Sequence, residues 1–263
     1  MSGSGAIITL TTDFGYQDYY VSAMKAVILG IAPNVRLVDV SHAIPPQDVM
    51  AGAWVLKNTA FLYPEQSIHL AVIDPGVGTS RKPIVVRLNN HFFVGPDNGL
   101  FSLLGSTDDA EAFEITNPTY MGSPISPTFH GRDIFAHCAA HLANGVAIES
   151  FGPPLEQLFT YRWAEPIADK EGIQGWVVHI DAYGNLITNI PGSLLNGKYE
   201  GFKIYAGTSI LNKIVQTYGE AEPGDAVAYI GSSDMLEIAV NMGNASELLN
   251  ITKGAPVSIV YKK

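Results

Sequence analysis

The segment Ala6-Ile-Ile-Thr-Leu-Thr-Thr12, followed directly by Asp13-Phe-Gly15, decides the fold. Its β-branched apolar run is typical of a buried strand, and the glycine marks a turn. Downstream, apolar residues recur at three- and four-residue spacing from Tyr20 until Pro33, which predicts a helix. A strand followed by a covering helix is the repeating unit of an α/β domain.

The same alternation continues along the first half of the chain. Further predicted elements are strands at 36–40 and 67–73 and helices at 48–61 and 134–142. Two more strands, 84–88 and 91–94, are joined by Asn89-Asn90, a dipeptide that tolerates positive φ and therefore predicts an antiparallel hairpin at the sheet margin. We predict a mainly parallel central sheet.

The second half of the chain has a different pattern. After Gly152-Pro-Pro154 the sequence is polar until Gly172, and strand-length runs separated by Gly, Asn and Pro then continue to the end. We predict an N-terminal α/β domain at 1–155, a linker at 156–171 and a smaller C-terminal all-β, barrel-like domain at 172–263.

Composition excludes several classes of protein. The 263 residues contain 15 Lys plus Arg against 25 Asp plus Glu, so no basic field attracts nucleic acid. Cys138 is the only cysteine and lies in an apolar stretch, so we expect a buried thiol and no internal disulfide. Residues 1–5 lack a cationic region, and no apolar run approaches the roughly 18 residues that span a bilayer. We expect a cytoplasmic protein with no membrane segment.

Three polar motifs in the first half each have a functional and a structural interpretation. Asp13 either binds a ribose diol or caps the helix that follows. Asp74 and Arg81 flank one glycine-containing turn, where they either contact a ligand or form a salt bridge that pins the loop. His130 lies near a predicted helix start that favours an anion, or it packs in the loop while Asp133 caps the helix.

The second half carries one further motif, Asp181-Ala-Tyr-Gly-Asn185. Asp181 suits an ammonium group and Asn185 a purine edge, although Asx residues beside glycine are usually turn formers. By itself, the tail segment 231–241 says little. His137 and His141 have the i, i+4 spacing of a metal pair, but no third ligand is evident nearby, so packing is favoured and no metal site is predicted.

Taken in order, Thr-Asp-Phe-Gly, Asp-Pro-Gly-Val-Gly with a following Arg, Phe-His-Gly-Arg-Asp and Asp-x-Tyr-Gly-Asn-Leu-x-Thr-Asn resemble the motifs of adenosine-forming S-adenosylmethionine (SAM) hydrolases. The resemblance spans both predicted domains and implies that water attacks C5′ of SAM to release adenosine and methionine. Related enzymes attack the same carbon with fluoride or chloride, so the fold does not choose the nucleophile. Asp74, Arg81 and His130 match the set that distinguishes the hydrolases, and the long insertion of the fluoride-using branch is absent after Arg81.

The resemblance also implies residue roles. Asp74, Arg81 and His130 would surround the attacking water, with the proton acceptor left open between Asp74 and His130, or a hydroxide held mainly by Arg81. The implied substrate contacts are Asp13 with the ribose hydroxyls, Asp181 with the methionine ammonium, Asn185 with adenine, Tyr183 packed on the base, and Ser233 and Glu237 in the more variable tail.

The resemblance further implies a homotrimer with sites at subunit interfaces, and no metal or cofactor besides the SAM substrate. Two alternatives stay open at this point. One is a halogen-using 5′-transferase, and the other is an adenosyl-binding sensor without turnover.

Overall fold

The computed structural model describes residues 5–105, 110–195 and 201–261. The chain divides into two compact units, of which the first ends at Thr160 and the second begins at Tyr161. The predicted linker 156–171 is therefore divided between the two units. Residues 1–4, part of the segment in which we expect no targeting signal, lie outside the described residues.

The first unit contains a six-stranded sheet. Its strands are β1 (Ile7–Thr12), β2 (Arg36–Ser41), β3 (Ile68–Val72), β4 (Pro83–Leu88), β5 (His91–Pro96) and β6 (Glu111–Glu114). They lie in the order β2-β1-β3-β5-β4-β6. The first four strands in this order form parallel pairs, and β4 and then β6 extend the sheet with antiparallel pairs. The predicted α/β fold with a mainly parallel sheet is confirmed.

Helices cover this sheet. They are α1 (Tyr20–Ile31), α2 (Val49–Thr59) and α3 (Ala136–Ala143). α1 packs against α3 and buries Met24 and Ile28 in a core that also contains the free Cys138, which confirms the predicted buried thiol. A π-helical turn at Gly131–Phe135 leads directly into α3. In the described ranges, no helix is long and apolar enough to cross a membrane.

The predicted hairpin forms, but its position is a correction. Asn89 and Asn90 adopt φ values of 48° and 62° between β4 and β5, as the turn requires. β5 lies inside the sheet between β3 and β4, and β6 covers β4 on its other side. Glu111–Glu114 was missed because its four residues, Glu-Ala-Phe-Glu, carry too short an apolar pattern to stand out.

The second unit is built almost entirely of strands. They are β7 (Ile167–Ala168), β8 (Gly172–Ile180), β9 (Leu186–Pro191), β10 (Phe202–Ala206), β11 (Ser209–Leu211), β12 (Ile214–Val215), β13 (Ala226–Ile230), β14 (Met235–Val240) and β15 (Pro256–Tyr261), with a short helix α4 (Ala245–Leu249). The sheet order is β11-β10-β15-β8-β9-β14-β13-β12, with β7 beside β8. β11 also contacts β13, so the sheet curls into the predicted barrel-like form around Phe202 and Leu236.

Candidate active site

The polar motifs of the first unit gather at the carboxyl ends of two neighbouring parallel strands. β1 and β3 are in register with Thr12 opposite Val72, so Asp13 and Asp74 follow the strands at the same sheet edge. In open α/β sheets, ligands bind in the crevice outside these strand ends. The sequence order strand-Asp-turn therefore places two carboxylates where a ligand site is expected.

Asp74, Arg81 and His130 form one connected cluster. Arg81 Nε lies 3.0 Å from each Asp74 carboxylate oxygen, and Arg81 Nη2 lies 2.5 Å from Oδ2. The same Nη2 lies 2.6 Å from His130 Nδ1, across 49 positions of sequence. The side chains of Arg81 and Asp74 are only 8% and 5% exposed. The salt bridge that the sequence suggested between Asp74 and Arg81 is present, and the same guanidinium also binds His130.

Glycine shapes the turn that carries this ion pair. Gly78 has φ of +75°, a conformation that side chains with a Cβ rarely adopt. A Cβ at Gly78 would also collide with the backbone oxygen of Pro127, so this turn packs tightly on the loop that precedes His130. Close backbone approach brings the two motifs together.

The contacts indicate which protons His130 carries. An arginine N–H always donates, so His130 Nδ1 accepts from Arg81 and a neutral ring carries its hydrogen on Nε2. Burial lowers the pKa of His130, and the nearby Arg81 charge lowers it further against the opposing effects of Asp74 and Asp133. His130 is therefore neutral at pH 7 and presents a donor at its second ring nitrogen.

Arg81 keeps one unused donor. Its Nη1 is buried and has no hydrogen-bond partner among the described residues. Arg81 also stacks over the ring of Phe135, with the guanidinium carbon 5.3 Å from the ring centre. Because a buried N–H without a partner is unfavourable, the cluster is suited to a water, a hydroxide or another oxygen ligand at this atom.

Asp13 does not cap a helix. α1 begins after Tyr19 without a side-chain cap, whereas Asp13 Oδ2 accepts the backbone N–H of Gln47 at 2.7 Å. Burial raises the pKa of Asp13, and Asp74 adds to that shift while the Gln47 bond opposes it. Asp13 and Asp74 thus follow neighbouring strands at one sheet edge, where the charge of one carboxylate affects the other.

Asp133 also differs from the capping interpretation. It lies inside the π-helical turn, and its Oδ2 accepts the backbone N–H of Ser126 at 2.8 Å while Arg132 pairs with its Oδ1. The carboxylate thus ties down the loop before His130.

In the second unit, Asp181 and Asn185 form a local turn. Asp181 Oδ1 accepts the backbone N–H groups of Tyr183 and Asn185 at 2.9 and 2.8 Å, and Oδ2 accepts the Asn185 side chain at 2.8 Å. This is the Asx turn that the sequence left as an alternative. A carboxylate has about four lone-pair sites, two on each oxygen, so Oδ1 is fully used and Oδ2 keeps room for one ligand donor.

The other predicted residues of the second unit surround this turn or a neighbouring buried acid. Tyr183 is 81% exposed. Glu237 is buried and accepts a hydrogen bond from Tyr229. Burial raises the pKa of Glu237, although the Tyr229 bond opposes the shift. The Ser233 hydroxyl is buried next to Glu237 and also acts to lower the pKa of that acid.

The sequence interpretation missed Asn98, which fixes the backbone next to Asp74. Its Nδ2 donates to the backbone oxygen of Ile73 at 2.8 Å, and its Oδ1 accepts from Leu100 at 3.3 Å. Ile73 immediately precedes Asp74, so Asn98 fixes the end of β3. The signal was a polar Asp97-Asn98-Gly99 turn directly after an apolar strand.

His137 and His141 both lie on α3. Across the described residues, no three His, Cys, Asp or Glu side chains are arranged to hold a metal ion. The His141 ring packs 5.0 Å from that of Tyr120. The packing interpretation of this histidine fits the contact.

Comparison with known proteins agrees with the motif order. The SAM hydroxide adenosyltransferase N-terminal domain matches residues 8–152, and the C-terminal domain of that family matches residues 175–258. A protein of Thermus thermophilus named (R)-S-adenosyl-L-methionine hydrolase is 41% identical, with 95% of this chain and 97% of that protein covered.

The chain is also similar to a solved structure and to a more distant enzyme. The crystal structure of an uncharacterized conserved protein from Thermotoga maritima superposes with a TM-score of 0.84 at 34% identity, covering 96% of this chain and 99% of that one. A fluorinase from Nocardia brasiliensis is more distant, at 26% identity over 98% of each chain. The two family domains and the near-complete coverage lead to one conclusion: the chain belongs to the SAM hydroxide adenosyltransferase family.

Proposed function

We propose that this protein hydrolyses SAM to adenosine and L-methionine. The observation that carries the proposal is the Asp74–Arg81–His130 cluster, in which the buried Arg81 Nη1 has no hydrogen-bond partner among the described residues. A relative at 41% identity is named as a SAM hydrolase, whereas the fluorinase relative is at 26%. Both the cluster and the family relationship therefore favour water as the nucleophile.

The chemistry places its main demand on the nucleophile. The C5′–O bond forms as the C5′–S bond breaks, the electron pair leaves with sulfur as neutral methionine, and a proton of the water passes to solvent. A thioether leaving group needs no general acid. The cluster must therefore orient the water and stabilise its hydroxide-like state.

We propose that hydrogen-bond donors, rather than a proton acceptor, orient the water and stabilise its hydroxide-like state. His130 Nδ1 already accepts from Arg81, and the Asp74 carboxylate already accepts three contacts from the guanidinium. Arg81 Nη1 and the His130 Nε2–H group are suited to stabilise developing negative charge on oxygen. In this assignment a hydroxide held by Arg81 replaces proton abstraction by Asp74 or His130.

Substrate binding is assigned to the remaining polar groups. We propose that Asp13 binds the ribose diol, Asp181 the methionine ammonium and Asn185 the adenine. The exposed ring of Tyr183 is available to stack on the base. Ser233 and Glu237 are proposed as further contacts in the same unit as Asp181, whose charge reaches Glu237.

The decisive experiment is turnover of SAM in ¹⁸O-water, with chloride and fluoride added in parallel, followed by mass spectrometry. We expect ¹⁸O in the 5′-hydroxyl of adenosine and equimolar methionine. A 5′-halogenated adenosine would move the protein to the halogen-using branch. Unchanged SAM together with measurable SAM binding would identify a sensor.

We also propose a homotrimer with its sites at subunit interfaces. Sedimentation analysis should give three times the mass of the 28.2 kDa chain. Mixed oligomers of Arg81→Ala and Asp181→Ala subunits should be more active than either parent, because a shared site can then draw both native residues from different subunits. A monomer, or no gain on mixing, contradicts this arrangement.

We propose that the reaction needs no metal or cofactor. The reason is chemical, since the sulfonium already activates C5′ and leaves as a neutral group. Activity should therefore be unchanged after dialysis against a chelator. Loss of turnover that returns with added divalent metal would contradict the proposal.

The cytoplasm is our proposed location. The thiol of Cys138 is free and buried, which fits a reducing compartment. Fractionation of source cells should recover the protein with cytoplasmic markers, and recovery in a secreted or membrane fraction would contradict this location.

A further inference from the structure

The buried histidine His42 contacts the segment that carries Asp13 and has no part in the proposed reaction. It follows β2 directly, and Ser41 of that strand pairs with Thr11 of β1. The whole residue is 1% exposed. Its ring therefore packs against the end of β1, from which Asp13 projects.

His42 contacts the chain on both sides of Asp13. Its Nδ1 lies 2.7 Å from Thr12 Oγ1, and its backbone oxygen accepts the N–H of Gly15 at 2.8 Å. The Thr12 hydroxyl also accepts the backbone N–H of Phe14 at 3.3 Å. One residue thus fixes the segment 12–15 through its side chain and its backbone.

Charged groups hold the imidazole in turn. Asp39 Oδ1 lies 3.2 Å from His42 Nε2, and Lys25 of α1 binds Asp39 Oδ2 at 2.6 Å. The ring N–H does not point directly at Asp39, so this contact is mainly electrostatic. A carboxylate beside Nε2 favours the tautomer with hydrogen there, which leaves Nδ1 to accept from the Thr12 hydroxyl. The edge of the neighbouring Tyr16 ring packs on the imidazole, with centroids 5.1 Å apart.

Asp39, His42 and Thr12 have the chemical groups of a catalytic triad, but their burial excludes that role. Thr12 is 0% exposed, and both hydrogen-bonding functions of its hydroxyl are engaged by His42 and Phe14. A substrate cannot reach this oxygen. The Asp39–His42–Thr12 network therefore fixes the conformation of residues 12–15 and does not activate a nucleophile.

We infer that His42 is a positioning residue that fixes the Asp13 carboxylate for a ligand diol. The inference rests on the proposed function, in which Asp13 binds the ribose hydroxyls of SAM. Gln47 orients one carboxylate oxygen through its backbone N–H, and His42 holds the backbone on either side. A carboxylate must be held at a defined angle to bind two hydroxyls at once. A more mobile backbone on either side of Asp13 therefore weakens diol binding in particular.

The test compares adenosine with 2′,3′-dideoxyadenosine, which lacks the diol. Calorimetry on His42→Ala and His42→Gln should show adenosine binding weakened about tenfold, as for loss of a buried hydrogen bond. Dideoxyadenosine binding should be unchanged. His42→Asn keeps a polar group near the place of Nδ1 and should restore most of the adenosine affinity. With SAM, KM should rise about tenfold while kcat stays within about twofold.

Two further variants separate positioning from folding. Thr12→Val removes the same hydrogen bond from its other end with nearly unchanged volume, so it should reproduce the selective loss even if a His42 variant does not fold. In an Asp13→Ala background, His42→Ala should weaken adenosine binding no further, because the two residues act through one contact.

A matched control is His91→Ala, which removes another buried imidazole at the start of β5 and should leave the preference for the diol unchanged. Equal weakening of both nucleosides in the His42 and Thr12 variants would overturn the inference, as would unchanged adenosine binding. A wild-type protein that neither hydrolyses SAM nor binds adenosine would instead remove the proposed function, and the inference with it.

Discussion

The polar clusters of the two units are built in opposite ways. In the first unit, Arg81 reaches His130 across 49 positions of sequence, and the guanidinium nitrogen Nη1 stays buried without a partner among the described residues. In the second, Asp181 binds Asn185 only four positions away. A local Asx turn explains its own contacts, whereas a long-range cluster with an unused donor needs a ligand to complete it. The first cluster is therefore the stronger indication of chemistry.

The largest effect should come from removing the unused donor. Arg81→Ala should lower kcat for SAM about 10³-fold, as expected for loss of a preorganised donor to developing oxyanion charge. Adenosine affinity, which depends on other contacts, should change little. Arg87→Ala is the matched control, because Arg87 forms a surface pair with Glu111 and its side chain is 42% exposed. Comparable activity of the two variants would remove the distinction between the clusters.

A second contrast concerns stability. Asp74→Ala leaves the buried Arg81 charge without its counterion and should lower the free energy of unfolding by about 3 kcal/mol. Asp181→Ala removes hydrogen bonds of an accessible turn and should lower it by about 1 kcal/mol. Urea denaturation of both variants measures the difference. Equal losses would show that the local turn is as structurally important as the buried pair.

Variants of Tyr183 test whether the second unit contacts the adenine base. Because the ring is 81% exposed, Tyr183→Ala should leave the unfolding free energy unchanged. If the ring stacks on adenine, the variant should weaken adenosine binding about tenfold. Tyr183→Phe retains the ring and serves as the control. Unaltered binding in the alanine variant would contradict stacking of Tyr183 on adenine.

The smallest expected effect is a pH dependence carried by the first cluster. Burial and Arg81 lower the pKa of His130 below its usual 6.5, so the neutral ring persists at pH 7. As pH falls below 6.5 through that lowered pKa, protonation blocks Nδ1 and places a cation beside Arg81. We expect a severalfold fall in kcat on that acid side and no change above pH 7.

Rate profiles of wild type and His130→Asn between about pH 5 and 8 provide the measurement. The variant should be less active but should lack the acid limb. An acid limb that persists would assign the titration to another group, with Asp13 the first alternative because burial raises its pKa.

The sequence was informative where one motif depended on its own neighbours. The strand-turn-helix pattern around Asp13, the Asn89-Asn90 turn and the buried Cys138 are confirmed, because periodicity and turn chemistry act over a few residues. β6 and its position beside β4 could not be predicted, since edge pairing is decided by which strand presents free backbone groups.

The amino-acid sequence was enough to predict the α/β and all-β units, the order of the motifs and the candidate residue types. Long-range contacts, which no sequence pattern predicts, show that Arg81 binds Asp74 and His130 together and that Asp13 accepts from Gln47 instead of capping a helix. The same is true of the hydrogen bonds by which Asn98 fixes the end of β3 and His42 fixes the end of β1. The physical reason is that local patterns record burial and turns, whereas convergence at a sheet edge depends on strand order and register, which connect residues far apart in the chain.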